Sequence, residues 1–554
     1  MEEVLKACLS EVAAGISPDV EAELSIPDSR FGDYSTNLAL KLAAINNQSP
    51  RTLAENLLKS LNTKLADQVR DISIAGPGFI NFRLSDRALI NEISSEPKRF
   101  LEGQVAVVEY SDPNVLKTLH AGHLYTSIVG ESIANLMNEV GAKVYRINYV
   151  SDVGLHVAKS IWQITHLLGA ENPDGLENIA EDQRAEWMSA AYVQGNKAYD
   201  SDEVARAEIT ELNQKIYAIL KDNDHSAPLA QIYWVTRGWS FTEFDRLYSR
   251  LHIMFDRYYT ESEVARIGLE KVKEQLSRGV FEMSDGAVVF RGEKYGLHTR
   301  VFINSVGLPT YEAKDIGLAE LKKRDFNYDR SVIITASEQE QYFAVVLKAL
   351  EQFEPEQAKH TVHLSHGMVR LSGGKKMSSR LGNILRAQDV LNAASEAAAK
   401  VGGKVDEQVM LAAVKYSLLK QRLGGDIVYE PEESVNVLGN SGPYLQYAHA
   451  RARSILTKSS SAVNFTGELT DQERELARGL SRYASVVEVA AKELSPHLLC
   501  SYLYDLSQIF NRFYEANRVI GDPREQIRLG LIQIYANRLK SGLNILGIDA
   551  PDHL

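Results

Sequence analysis

Two cysteines in 554 residues, Cys8 and Cys500, are too few and too far apart for a disulfide framework or a cysteine-rich zinc site. No run of about 18 apolar residues occurs, so no transmembrane helix is expected. The opening MEEVLKACLSEVAAG has no basic segment followed by an apolar one, so a secretory signal is not expected either, and the cytoplasm is the default. Positive charge is in deficit: Lys+Arg 61 against Asp+Glu 73 leaves −12, which argues against a general nucleic-acid coat but not against local basic patches. There is no repeat of fixed period and no low-complexity tract. What remains is an ordinary globular composition, 44% hydrophobic and 24% charged, long enough for roughly three to four domains.

The stretch Val105–Gly141 organises the chain. Val105–Val108 is an apolar run that predicts a buried strand. Glu109, Ser111, Asp112, Pro113 and Asn114 follow as a polar loop. His120 and His123 then open a segment with Leu124, Ile128, Ile133, Leu136, Met137 and Val140 near helical spacing, stopped by Gly141. Strand, polar loop and helix make the layout of a phosphate site on an α/β sheet. Lys143–Val150 predicts a second strand and so a βαβ unit, with Ser151–Gly154 where such sheets place ligand loops. His120 and His123, three residues apart, share a helix face, and Gly122 between them lets a ligand approach the backbone. Imidazoles at a helix N-terminus can donate to phosphate oxygens as negative charge builds. Taken alone, such a pair is more readily a metal pair or two structural histidines.

Around this unit, residues 1–98 read as a small α+β module with helices at Val4–Ile16, Tyr34–Ile45 and Pro50–Asn62, and strands at Ile72–Ile74 and Phe79–Phe82. Residues of about 155–280 read as a helical arm inserted between two halves of the nucleotide fold. Strand candidates resume at Ala287–Phe290, Val301–Asn304 and Ser331–Thr335. His366–Gly382 then packs Gly, Ser, Arg370, Lys375, Lys376 and Arg380 into a loop suited to clamping a polyphosphate, although lysine loops are usually just solvated. From Gln388 to the end the apolar spacing is helical throughout. Glu109, Asn114, Tyr311, Asp315 and Gln339 come from three strand ends; two carboxylates among neutral polar groups suit a cation such as guanidinium. Tyr444, Tyr447, Arg451 and Arg453 place aromatic and basic groups on one helix, either to stack bases and hold phosphates or as core tyrosines with a solvated arginine edge.

In this order the motifs resemble those of the class I aminoacyl-tRNA synthetases, and specifically the arginyl-tRNA synthetases. VEYSDPNVLKTLHAGHLYTSIVG looks like that family's nucleotide signature, GGKKMSSRLGN like its KMSKS loop, FGDYSTNLALKLA and AGPGFINF like its N-terminal module, and GPYLQYAHARARSI with GLNILGI like its anticodon-binding bundle. The resemblance implies an α/β, Rossmann-type class I synthetase catalytic domain over 99–386, an N-terminal tRNA-binding α+β module over 1–98 and a C-terminal all-α anticodon-binding bundle over 387–554. It implies ligation of arginine to tRNA(Arg) through an arginyl-adenylate, with ATP and Mg2+, no zinc, and no membrane partner, by a cytoplasmic monomer. His120, His123, Lys376 and Lys117 would be catalytic. Gly122, His366, Gly367, Met368, Met377 and Ser378 would face ATP. Glu109, Ser111, Asn114, Tyr311, Asp315 and Gln339 would hold arginine. Phe31, Tyr34 and Asn37 would lie near the tRNA elbow, and Tyr444, Tyr447, Arg451 and Tyr514 near the anticodon loop.

The chain departs from the pattern in two places. DVGLH at 152–156 stands where the family often has Asp-Trp-Gly-x-Gln, and Ser379 and Arg380 stand where the KMSKS signature has its second lysine and last serine. A smaller HxGH nucleotidyltransferase would share the histidines and lysine loop but would not need the long helical C-terminus. A non-catalytic paralogue would be expected to have lost an essential group, and His120, His123, Lys376, Glu109 and Asp315 are all present.

Overall fold

Five parallel strands form the central sheet of the computed structural model, which describes residues 1–554 other than 18, 373–384, 402–405, 460, 462 and 466. They are β1 (Val105–Glu109), β2 (Lys143–Val150), β3 (Arg257–Thr260), β4 (Arg330–Ala336) and β5 (Thr361–His366). Their spatial order is β5-β4-β1-β2-β3. Ala106, Val107 and Val108 are fully buried, as a strand covered on both faces requires. The chain runs outward in both directions from β1, so the carboxyl end of β1 is the topological switch point, where open α/β sheets bind ligands.

Helix α1 (Ala121–Glu139) joins β1 to β2, and Gly141, at φ +105°, turns the chain out of it. The insertion between β2 and β3 is helical, with Leu155–Leu167, α2 (Arg184–Ser201), Glu203–Asp222 and α3 (Pro228–Arg250). It ends well before residue 280. Arg257–Thr260 is not helix but the edge strand β3, in register with Ile147–Val150. Two tyrosines and a threonine there have high strand propensity, and buried Tyr259 packs with Val107 and Ile147 on one face of the sheet. Helix α4 (Glu261–Ser277), a three-stranded antiparallel sheet (Glu282–Ser284, Ala287–Phe290, Arg300–Ile303) and α5 (Tyr311–Phe326) follow before β4. Helices α4 and α5 touch backbone to backbone at Gly268 and Gly317; a Cβ on Gly268 would lie 1.9 Å from the Ala313 carbonyl oxygen.

The N-terminal module has helices Glu2–Ala14, Leu38–Asn46 and Pro50–Lys64 and an antiparallel sheet of Tyr34–Thr36, Phe79–Leu84 and Val69–Ala75. Tyr34–Thr36 is thus a strand, with Tyr34 opposite Phe82, and the helix starts only after Asn37. The C-terminal region is helical and includes α6 (Gly442–Leu456), Asp471–Ser481, α7 (Pro496–Ala516) and Glu525–Ile545. It contains one short strand, Ile427–Tyr429, parallel to Val369–Leu371. The module is clasped to this bundle by Arg474, which bonds Asp33 at 2.6 Å, Asp86, and the Leu84 carbonyl at 2.8 Å. No helix of the described residues is long and apolar enough to cross a membrane.

Candidate active site

At the start of α1 the two histidines hold each other. His120 is the N-cap, in extended conformation, and its Nδ1 accepts from the His123 backbone N–H at 3.3 Å. His123 Nδ1 accepts from the His120 N–H at 3.2 Å, and the rings stack with centroids 3.6 Å apart. With both Nδ1 atoms accepting, each neutral ring carries its proton on Nε2 and offers it as a donor. Burial, with Lys117 adding repulsion, lowers the His120 pKa to about 4; burial and the neighbouring His120 hold that of His123 well below the ordinary imidazole value. Near neutral pH the pair is therefore a set of fixed hydrogen-bond donors rather than proton donors. A Cβ on Gly122 would lie 2.8 Å from the His120 ring, so the absent side chain makes room for the histidine stack.

The histidines also adjoin the exit of the lysine loop. Ala121 N donates to the Leu385 carbonyl at 2.8 Å and Ala387 N to the Leu119 carbonyl at 2.9 Å, so 385–387 runs against 119–121. Lys376, Met377 and Ser378, with Lys375, Ser379 and Arg380, lie outside the described residues. Arg386 faces away, paired with Asp389 and with Glu186 of α2 at 2.8 Å each. Lys117 lies over the Tyr192 ring of α2 at 3.9 Å, and burial lowers its pKa to about 8. The backbone of Met368 is engaged: its N–H donates to Asp426 Oδ1 at 2.9 Å and its carbonyl accepts from Ile427 at 2.8 Å. Gly367 abuts the Gly425 backbone, and its carbonyl lies 2.7 Å from His366 Nδ1. The short strand after Gly425, invisible to a motif reading, thus takes the Met368 groups assigned to ATP and leaves its exposed side chain.

On the α5 side of β1 is a cluster of carboxylates. Glu109 ends β1, is 2% exposed, and bonds Lys322 Nζ of α5 through Oε2 at 2.6 Å. Its Oε1 receives no hydrogen bond from the described residues. Asp315 of α5 accepts from the Tyr342 hydroxyl. Burial raises the Asp315 pKa to about 8, and Glu109 and Glu261 push the same way. Asp112 accepts from Tyr149 N at 2.9 Å, and burial with Glu109 raises its pKa well above the usual range. Ser111, Asp112 and Leu116 all have positive φ (78°, 48° and 63°), a concentration of backbone strain typical of functional loops. Asn114 bridges to Ser151, tying the β1 loop to the end of β2. Tyr311, 51% exposed, has its hydroxyl 3.4 Å from His156 Nδ1, and Gln339 sits in the turn after β4. Glu109, Asn114, Tyr311, Asp315 and Gln339 thus all come to the carboxyl edge of the sheet. Ser111 lies in the same loop, and its buried hydroxyl is 2.6 Å from that of Tyr248 on α3, where it locks the loop to the insertion.

The family model "tRNA synthetases class I (R), catalytic domain" matches residues 86–428, more than half of the chain. The chain belongs to the class I arginyl-tRNA synthetases. Models for the arginyl-tRNA synthetase N-terminal domain and the DALR anticodon-binding domain match residues 1–84 and 445–554. The chain is 30% identical to an arginine–tRNA ligase of Flavobacterium psychrophilum over 93% of its own length and 90% of the relative's, and 27% identical to one of Bacteroides fragilis over 97% and 96%. In fold it is similar to the Thermus thermophilus arginyl-tRNA synthetase (TM-score 0.81, 24% identity, all of both chains) and to that of Plasmodium falciparum (TM-score 0.80, 22% identity, 100% and 99%).

In this synthetase the surfaces assigned to tRNA differ in exposure. Phe31 is 43% exposed. Tyr34 instead lines a cavity of about 470 Å3 between module and bundle with Arg482 and Tyr502, and the Asn37 side-chain oxygen is buried. On α6 and α7, Tyr447 and Tyr514 are partly exposed and Arg451 lies 5.9 Å from the Tyr514 ring. Asn511 joins them, accepting from Arg451 at 2.8 Å and donating to the Tyr444 hydroxyl at 2.9 Å. Sequence reasoning put Asp152 in a ligand loop but missed that it is fully buried and accepts from Arg237 of α3 and from the N–H and hydroxyl of Ser262 on α4. It missed Lys322, whose KKR run reads as a solvated face. It also missed Tyr149, whose buried hydroxyl has no partner among the described residues.

Proposed function

We propose that this synthetase activates L-arginine with MgATP across the end of β1, with arginine on the α5 side and the triphosphate at the start of α1, and then charges tRNA(Arg). The observation that carries the reading is the division of the switch point into two chemistries. Glu109, Asp112 and Asp315 make one side suit a cation, while two fixed Nε2–H donors at a helix N-terminus make the other suit an anion. Asp315 and Glu109 take the guanidinium, and Asn114, Tyr311 and Gln339 orient the amino acid.

The arginine carboxylate oxygen bonds to the α-phosphorus as the bond to pyrophosphate breaks, and charge accumulating on the phosphate oxygens is met by His120 and His123. Lys376 with Met377 and Ser378 completes the hold on the phosphates, and Lys117 adds positive charge beside the histidines. The 3′-terminal ribose hydroxyl of the tRNA then attacks the arginyl carbonyl and AMP leaves. Phe31 serves the tRNA elbow, and Tyr444, Tyr447, Arg451 and Tyr514 the anticodon loop. One chain holds all of these parts, and we read it as a cytoplasmic monomer.

The test is ATP–pyrophosphate exchange with each of the twenty amino acids, with and without tRNA(Arg). Exchange is expected with arginine alone, and only when the tRNA is present. Exchange with another amino acid, or none with arginine and tRNA together, would sink the reading.

A further inference from the structure

Lys322 lies seven residues after Asp315 on α5, two turns along the same helix face. It is 2% exposed. Its Nζ is 2.6 Å from Glu109 Oε2 and 3.4 Å from the Ser331 hydroxyl. Together with Glu109, Asp315 and Tyr328 it lines a small cavity of about 20 Å3, room for a single water. No other lysine or arginine among the described residues pairs with Glu109, and Glu109 Oε1 receives no hydrogen bond from them.

A fixed cation beside a site for a cationic amino acid calls for a reason. Glu109, Asp112 and Asp315 carry three negative charges when ionised, and Lys322 brings the sum to −2. Arginine brings a guanidinium and an ammonium to carboxylates that Lys322 alone does not neutralise. A carboxylate held by one oxygen also cannot rotate freely, so the other keeps a set direction. We propose that Lys322 is a positioning residue for arginine: it anchors Glu109 through Oε2 and leaves Oε1 for the guanidinium. Lys322 itself never touches the substrate. The proposal rests on the reading that Glu109 and Asp315 border the arginine site.

The experiment is steady-state tRNA charging by full-length Lys322→Met, Lys322→Arg and, as a control on the site, Asp315→Asn. Lys322→Met should raise the KM for arginine about tenfold or more, because it strips a buried carboxylate of its partner, with the KM for ATP essentially unchanged. Lys322→Arg, which can still grip one carboxylate oxygen, should recover most of the loss. A folded Lys322→Met with a wild-type KM for arginine, or with both KM values raised alike, overturns the proposal. If that variant does not fold, Lys322→Gln replaces it, since its amide still donates to Glu109. It must show an intermediate KM for arginine at unchanged KM for ATP, and a wild-type value again overturns the proposal. Asp315→Asn separates the layers: a raised KM for arginine there, with none in the Lys322 variants, removes only Lys322, whereas no effect in Asp315→Asn removes the site and the proposal together.

Discussion

Asp315→Asn raises the KM for arginine by about 10- to 100-fold and leaves the KM for ATP near its wild-type value. The magnitude follows from the loss of one charge-assisted hydrogen-bonded pair, about 1.5–3 kcal/mol. The substitution is close to isosteric and can keep the bond from the Tyr342 hydroxyl, so the effect reads charge rather than packing. A pH dependence accompanies it. In the free enzyme the Asp315 carboxyl titrates at about 8. Below that pH it holds a proton, which a bound guanidinium must displace, so the wild-type KM for arginine should fall as pH rises toward 8 and level off above it. The Asn variant has no proton to lose there, and its KM should be flat over the same range. A KM for arginine that falls equally in both proteins would assign the titration elsewhere.

His123→Ala lowers kcat by about 100-fold or more, the usual loss when one preorganised donor is removed from a developing oxyanion, with a smaller change in either KM. His123→Gln should recover part of it, because the amide N–H can stand in for Nε2–H. Both variants also lose part of the reciprocal bonding with His120, which costs about 1 kcal/mol of helix capping. A thermal melt measures that share independently. If the loss in kcat merely tracks the melting temperature across His123→Ala and His123→Gln, the residue serves the fold and not the phosphate. The low pKa values of the pair add a second expectation: neither histidine should appear as a titrating group in the kcat profile of the wild type near neutral pH.

The parts of this architecture that follow a simple period were readable in advance. β1, the polar loop and α1 were legible because an apolar run, a helical repeat and a terminating Gly141 stand next to one another. What escaped depends on partners far away in sequence. Arg257–Thr260 lies in an aromatic-rich stretch whose helical and strand patterns compete, and pairing with β2 decides it. The hydroxyl of Ser111 bonds with that of Tyr248 on α3, 137 positions away, a contact that no local motif announces. Met368 lost its free backbone to Asp426 and Ile427, and Tyr34 turned toward the bundle because Arg474 pulls the N-terminal module against it. Glu109 and Asp315 could be paired by motif, but the buried lysine that bonds Glu109 could not. A lysine is usually solvated, and only the packing of α5 against the sheet buries this one.

The division of the switch point into a cation side and an anion side is tested most directly by a crystal structure of the full-length protein with a non-hydrolysable arginyl-adenylate analogue, an arginyl sulfamoyl adenosine. The guanidinium should lie within hydrogen-bonding distance of the Asp315 carboxylate, and the sulfamate should lie beside Nε2 of His120 and His123. A guanidinium bound elsewhere, with Asp315 still bonded only to Tyr342, or a sulfamate remote from both histidines, would contradict the account.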